Sequence, residues 1–291
     1  MNWFYFALIS ALFSAAAAIF EKKVLFQEKA LEFSLVLALF NLVLSIPILL
    51  SLNLSALYGT ALWVLFGKTI LGMLSFLCVM YGLKNLEISG ALPLLVLTPG
   101  LVALTAFIFL KEALGRYEVL GLILLLVGTY ILQLLHKRDL LEPFKIFVKS
   151  KGHRYIVVAL ILFTVTSILD KVLLKEYNLP PLAFLGFQHL FLAIDFLLLA
   201  LLWRKKELSI VPTLKRSWLP ILLVAIFTMI YRYTQIEAVK LGSVALVLAL
   251  KRTSVFFAVV IGGQLFHDHY LLRKTIATVI MLAGAILVIV M

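Results

Sequence analysis

The stretch LKEALGRYEVLGLILLLVG, residues 110–128, has a counterpart in FHDHYLLRKTIATVIMLAG, residues 266–284. The match sets Glu112 against Asp268, Gly121 against Ala277 and Gly128 against Gly284. Each copy is a polar turn followed by a long apolar segment with small residues on one stripe. A second correspondence lies upstream, where ALFSAAAAIFEKKVL (residues 11–25) parallels ALILFTVTSILDKVLL (residues 159–174) and Glu21-Lys22 falls opposite Asp170-Lys171. Self-similarity at both ends of each half reads as a duplication.

Composition says what is duplicated. The 291 residues are 64% hydrophobic and 14% charged, with a mean hydropathy of +1.14, outside the range of a soluble domain. About 20 apolar residues span a bilayer core. Such segments run over 3–20, 33–51, 62–83, 89–110, 117–135, 154–174, 182–203, 217–236, 242–265 and 271–290. The expected fold is an all-α integral membrane protein of ten transmembrane helices. Residues 1–135 and 154–291 form two five-helix repeats, joined by a basic linker, 136–153, whose amphipathic middle lies on the membrane surface. Five is odd, so the second copy enters the membrane upside down. Many secondary transporters are built on such inverted repeats, with substrate bound near the midplane between them. The first span lacks a basic leader and a cleavage site, and is read as a retained helix. The lone Cys78 excludes an intramolecular disulfide and a multi-cysteine metal site.

The net charge of +12 does not indicate nucleic acid, which needs a clustered soluble basic face with stacking aromatics. Of 26 Lys and Arg, 17 fall in loops on one side of the membrane, five on the other and four inside spans. The positive-inside rule then puts the linker in the cytoplasm and both termini outside, in a multi-pass protein expected in a prokaryotic cytoplasmic membrane. Trp3, Trp63, Trp203 and Trp218 fall near span ends, where an aromatic belt is expected. There is no Walker motif, so ATP is not expected to bind.

The two closing segments, PLLVLTPGLVALTAFIFLKEALGRYEVLGLILLLVG and LALKRTSVFFAVVIGGQLFHDHYLLRKTIATVIMLAG, resemble the EamA branch of the drug/metabolite transporter superfamily. That family's repeat ends in a proline-containing fourth helix, a Gly-Glu turn and a glycine-spaced fifth helix. Pro99, Glu112, Gly121 and Gly128 keep the pattern in copy one. Lys111 stands where Gly is usual, His267-Asp268 replaces Gly-Glu, and Val255 occupies a common proline position. The resemblance implies a transporter, although typical members have cytoplasmic termini, contrary to the charge count here. Superfamily members that carry phosphorylated sugars use a lysine-basic pair in the ninth helix, and Lys251-Arg252 is similar in type and position.

Charged residues inside spans are costly and mark pathways or sites. Lys251 and Arg252 sit in the middle of the ninth span. Arg232 shares a stripe with Thr228 and Gln235, flanked by Tyr231 and Tyr233, which reads as a cavity wall. In the seventh span, Gln188 and Asp195 lie two turns apart on one face with His189 beside it. Lys251, Arg252, Arg232, Tyr231, Gln188 and His189 are therefore the expected substrate-binding residues. Asp195, read as the single deep acid, is a proton carrier or a counter-ion. Lys68 is close enough to a span end to snorkel. Glu21, Lys22, Asp170 and Lys171 are either paired gates at inverted positions or interfacial anchors. Pro93 and Pro99 interrupt the fourth span and free carbonyls. His267-Asp268-His269 lacks further ligands at metal-site spacing, and no metal or cofactor is expected.

An excess of deep cations favours a cargo that brings negative charge. The leading expectation is a secondary transporter, not an enzyme, moving a small anionic or zwitterionic metabolite by alternating access, proton-coupled or by exchange. Alternatives are an exporter of amino acids or drug-like compounds and, from another class, a lipid-headgroup flippase or membrane enzyme.

Overall fold

In lipid every backbone polar group must be satisfied within its own segment, so apolar stretches of this length become helices. The computed structural model describes residues 3–52, 59–98, 100–101, 115–133, 150–202, 210–241 and 244–290, and among them helix is the only regular structure. The helices are α1 (Trp3–Leu25), α2 (Ala30–Leu50), α3 (Gly59–Asn85), α4 (Ile88–Ala91), α5 (Arg116–Gln133), α6 (Lys151–Lys171), α7 (Pro181–Leu202), α8 (Ile210–Leu241), α9 (Val244–Phe257) and α10 (Leu271–Val290). α4 tightens directly into a 3-10 helix, Leu92–Leu97, with Pro93 in its first turn, so the expected interruption of the fourth span is a change of helix type. α6 and α9 each loosen at their ends into a π turn, Val172–Glu176 and Ala258–Gly262. Pro99, Lys111, Glu112, Trp203 and the linker's amphipathic middle lie outside the described residues.

Among the described residues, six helices, α1, α2, α3, α7, α8 and α6 with its π turn, are long and apolar enough to cross a membrane. Some hydroxyls within them are satisfied locally, as where Ser34 donates to Ala30 O and Thr164 to Leu160 O, one turn back. α3 and α8 start earlier or run longer than the hydropathy windows suggest, α3 from Gly59 and α8 from Ile210 to Leu241.

The packing crosses between the halves. α1 lies on α8, and α3 on α6; α2 packs on α7, and α5 on α10; α1 also meets α9, as the 3-10 end of α4 meets α6. At one end of the bundle, Lys22 of α1 donates to Leu83 O and Leu86 O at the end of α3. Tyr155 near the start of α6 stacks there on Tyr81, their rings 5.0 Å apart. Thr213 and Ser217 at the start of α8 donate to Glu28. Because Lys22, Lys84, Lys274 and the start of α6 gather here, we call it the basic end. At the opposite end, Ala7 of α1 packs with Ala238, Val239 and Val247, and Ala61 and Leu65 of α3 pack with Ala183, Phe184 and Ile236.

Small residues set the closest approaches, as membrane helix pairs require. A Cβ at Gly284 of α10 would lie 2.7 Å from Gly121 O and 2.9 Å from Leu125 N, both backbone atoms of α5. At Gly67, on the exposed side of α3, a Cβ would meet nothing within 4 Å. Gly284→Ala should therefore cost about 1–3 kcal/mol, because backbone cannot yield as a side chain does. Gly67→Ala should be neutral or stabilise by about 0.4–1 kcal/mol through the unfolded chain. Thermal unfolding of the two variants in detergent checks this, and an equal effect at both positions contradicts it.

Candidate functional site

Five helices bring charged and amide side chains to one place. Lys68 of α3 donates to Gln188 Oε1 of α7 at 2.9 Å, and Arg232 of α8 donates to the same oxygen. Arg232 also donates to Gln235 Oε1 at 3.2 Å, and that oxygen accepts a further hydrogen bond from Lys251 of α9. The result is a ladder, Lys68, Gln188, Arg232, Gln235, Lys251, in which each glutamine oxygen sits between two cations. Lysine and arginine are donors only, so each glutamine must turn its oxygen to them and its NH2 away. Neither NH2 has a hydrogen-bond partner among the described residues.

Asp170, in the last turn of α6, supplies the ladder's carboxylate. Its Oδ1 lies 2.8 Å from Lys68 Nζ, close enough for an ion pair but not aligned for a hydrogen bond, and its Oδ2 is 3.9 Å from Arg232. The Lys251 ammonium also lies 5.0 Å from the Tyr231 ring centroid and that of Lys68 5.1 Å from Phe184, so aromatic faces take up part of the buried charge. Ser10 of α1 donates to Tyr231 O at 2.9 Å, which fixes α8 against α1 beside the ladder.

Depth follows from helix rise. Lys68 is nine residues into α3, Gln188 seven into α7, Lys251 seven into α9, and Arg232 nine before the end of α8. At 1.5 Å per residue these lie about 10–14 Å from the helix ends, near the middle of a core about 30 Å thick. Lys68 is thus buried and ion-paired, which corrects the expectation that it snorkels; a helix starting at Gly59 places it deeper than a span starting at residue 62.

The other expected site residues divide. Arg232, Tyr231, Gln188 and Lys251 meet in the ladder. His189 is buried beside the charges of Lys68 and Arg232, and its Nε2 has no partner. Arg252 is half-buried, one residue and about 100° round α9 from Lys251, and makes no hydrogen bond or ion pair among the described residues. Asp195 is buried beside Thr69 with Oδ2 unpartnered; the carboxylate that pairs with the cations is Asp170. Glu21 is buried but does not pair with Lys22, which reaches the α3 carbonyls instead. The Lys171 side chain lies outside the described ones.

At the basic end the structure shows a second polar cluster that the sequence reading missed. Ser89, at the start of α4, donates its N–H and hydroxyl to Asp268 Oδ2 at 2.9 and 2.5 Å. Glu87 accepts from Lys274 and from His269, whose Nδ1 is 2.6 Å away and carries the proton because the carboxylate only accepts. His267 and Tyr270 bracket this turn with φ of 55° and 53°, a conformation bulky residues rarely adopt and one that needs such external partners. The turn motif is visible in sequence as His267-Asp268-His269, but its partners lie in the other half.

A helical bundle of this hydropathy, with cations meeting deep inside it, is that of a multi-pass membrane protein. The chain belongs to the EamA-like transporter family, which matches residues 1–134 and 150–290. No curated protein matches the sequence. A solved crystal structure of a protein 18% identical shares the fold with a TM-score of 0.64, over 99% of this chain and 96% of that one.

Burial pushes the Glu87 carboxyl up, but hydrogen bonds from Lys274 and His269 outweigh it and hold it below its ordinary 4.5. A lowered carboxylate contributes stability that is present above 4.5 and lost as pH falls through the folded value. Glu87→Gln should lower Tm near neutral pH, and the gap from the wild type should close as pH falls below 4.5 through the lowered folded value. A gap that stays constant over that range would show that Glu87 acts by shape alone.

Proposed function

We propose that this chain is a secondary transporter that moves a small metabolite bearing at least one anionic group, by alternating access of two five-helix copies. The observation that carries the reading is the ladder: three cations share two amide oxygens and one carboxylate near mid-membrane, and buried positive charge in such excess favours an anionic ligand.

The copies are residues 1–135 and 154–291, joined by the linker 136–153 and related by inversion. Two features support this. α1 and α3 end at the basic end, where α6 and α8 begin; and the packing of α1 on α8 has its counterpart in that of α6 on α3. The ladder draws on both copies, as a site between inverted repeats does. Lys251, Arg232, Gln188 and Tyr231 hold the anion, with Arg252 and His189 alongside. Asp195, a buried acid outside the ladder, carries the proton if transport is proton-coupled; exchange is the other mode.

Purified protein in proteoliposomes loaded with one anion and challenged with another measures the activity. Arg232→Gln and Lys251→Gln should insert and fold normally yet lose at least tenfold in affinity, the weight of about 1.5–3 kcal/mol for a charge-assisted hydrogen bond. Unchanged flux in both variants removes the ladder from the pathway. In the same assay Asp195→Asn should lose pH-driven accumulation and keep exchange; a variant that still accumulates against a gradient makes Asp195 structural.

The basic end faces the cytoplasm in this reading, which puts both termini outside. Alkaline phosphatase fused after Met291 should be active and a fluorescent protein there dark. The reverse pattern overturns the orientation.

A further inference from the structure

The ladder's charge does not balance, and the imbalance is specific. Lys68, Arg232 and Lys251 bring three positive charges, and the ion pairs among the described residues return one negative charge, from Asp170. We propose that the cargo is a dianion, a small dicarboxylate or phosphomonoester, and that Asp170 stands in part of its place while the site is empty. This rests on reading the ladder as the transport site.

Charge selects the class. With Asp170 still nearby, a monoanion leaves one buried cation uncompensated, and a zwitterion brings an ammonium of its own to a place already rich in them. Among these a dianion comes nearest to closing the balance, which matters where water cannot screen, the more so because Arg252 beside Lys251, unpaired among the described residues, adds to the positive excess.

Donor geometry points the same way. The NH2 groups of Gln188 and Gln235 are turned from the cations, and Arg232 Nε is buried without a partner. The buried His189 Nε2 beside them is also unpartnered. An unpaired buried donor such as Arg232 Nε is rare in native proteins and calls for an acceptor, and amide NH2 groups free of protein partners among the described residues add donors beside it. A dicarboxylate has four anionic oxygens and a phosphomonoester three, each able to accept more than one such hydrogen bond.

Asp170 is the member fit to give way. Its side chain is 24% exposed, against 7% for Lys68 and 13% for Arg232. Its distance to Arg232, 3.9 Å, is that of a loose pair. It also sits where α6 passes into the π turn Val172–Glu176, and such turns are frequent at functional sites because they let a side chain be re-aimed. An anion that meets Lys68 and Arg232 with better geometry would displace it at small cost.

The test is a charge series on the full chain in nanodiscs, read by calorimetry at a pH where the dianions are fully ionised. Succinate and methyl phosphate are the dianions; succinamate, of nearly the same shape as succinate, is the monoanion; glutamine is the zwitterion. At least one dianion should bind tenfold or more tighter than succinamate and glutamine, and whichever it is names the headgroup. Asp170→Asn should bind that dianion no more weakly than the wild type, and Lys68→Gln should lose most of the preference for two charges. Equal binding of succinate and succinamate, both abolished by Arg232→Gln, overturns the charge count and leaves the anion site standing. If no anion in the series binds, the ladder is not an anion site and both readings fall together. A loss of tenfold in well-folded Asp170→Asn shows that Asp170 helps hold the ligand and is not its stand-in.

Discussion

Three cations inside an apolar bundle repel one another and resist desolvation, and the rest of the molecule is arranged around that cost. Lys68 comes from α3, far in sequence from the consecutive helices α8 and α9 that carry Arg232 and Lys251. They are tolerated together because Gln188 and Gln235 each lend one oxygen to two of them, because Asp170 returns one charge, and because Tyr231 and Phe184 present ring faces. In a low dielectric an amide oxygen between two ammonium or guanidinium groups is worth far more than in water. Each helix is thereby held in register: a slip of one residue rotates a side chain by about 100° and removes it from the ladder.

The two ends of the bundle are held by different forces. At the basic end the bonds are polar and run between distant segments, Glu28 to Thr213 and Ser217, Asp268 to Ser89, Glu87 to His269 and Lys274. At the other end the meeting surfaces are mostly small and apolar, Ala7 with Ala238 and Ala61 with Ala183 among them. Directional bonds release all at once when broken, whereas apolar contacts slide. The strained turn at His267 and Tyr270 sits on the directional side, its backbone conformation offset by the same hydrogen bonds that close the end.

Most of the architecture was legible in the sequence, since helix in lipid is dictated by hydropathy and all ten expected spans have helix within them. The site was legible in part. The stripe of Arg232 and Gln235 follows from helical spacing, and a cation in midspan announces itself at Lys251. What one chain cannot disclose is which acid meets which base across helices. Asp195 stands alone in its span and reads as a proton carrier or a counter-ion to the cations, while Asp170, at a span end beside Lys171, reads as a gate or an anchor. The true pairing depends on α6 lying against α3, a tertiary fact. Lys68 was misplaced for a simpler reason, because a hydropathy window trimmed the first turn of α3 where Gly59 and Thr60 lower the average. The Glu87 and Asp268 contacts were invisible because each joins two turns far apart in the chain.

The α5–α10 contact, where a Cβ at Gly284 would strike the Gly121 carbonyl, carries a consequence for how such proteins diversify. At Gly284 that seam admits no added atom, so the position is restricted to the smallest residue, and the restriction prints a readable signature on the chain. The ladder is held by side-chain ends, where one polar group can be exchanged for another without moving a helix. The positions that make the chain recognisable are thus decoupled from those that choose its cargo. Close likeness at the seam between two such carriers carries no information about whether they move the same compound.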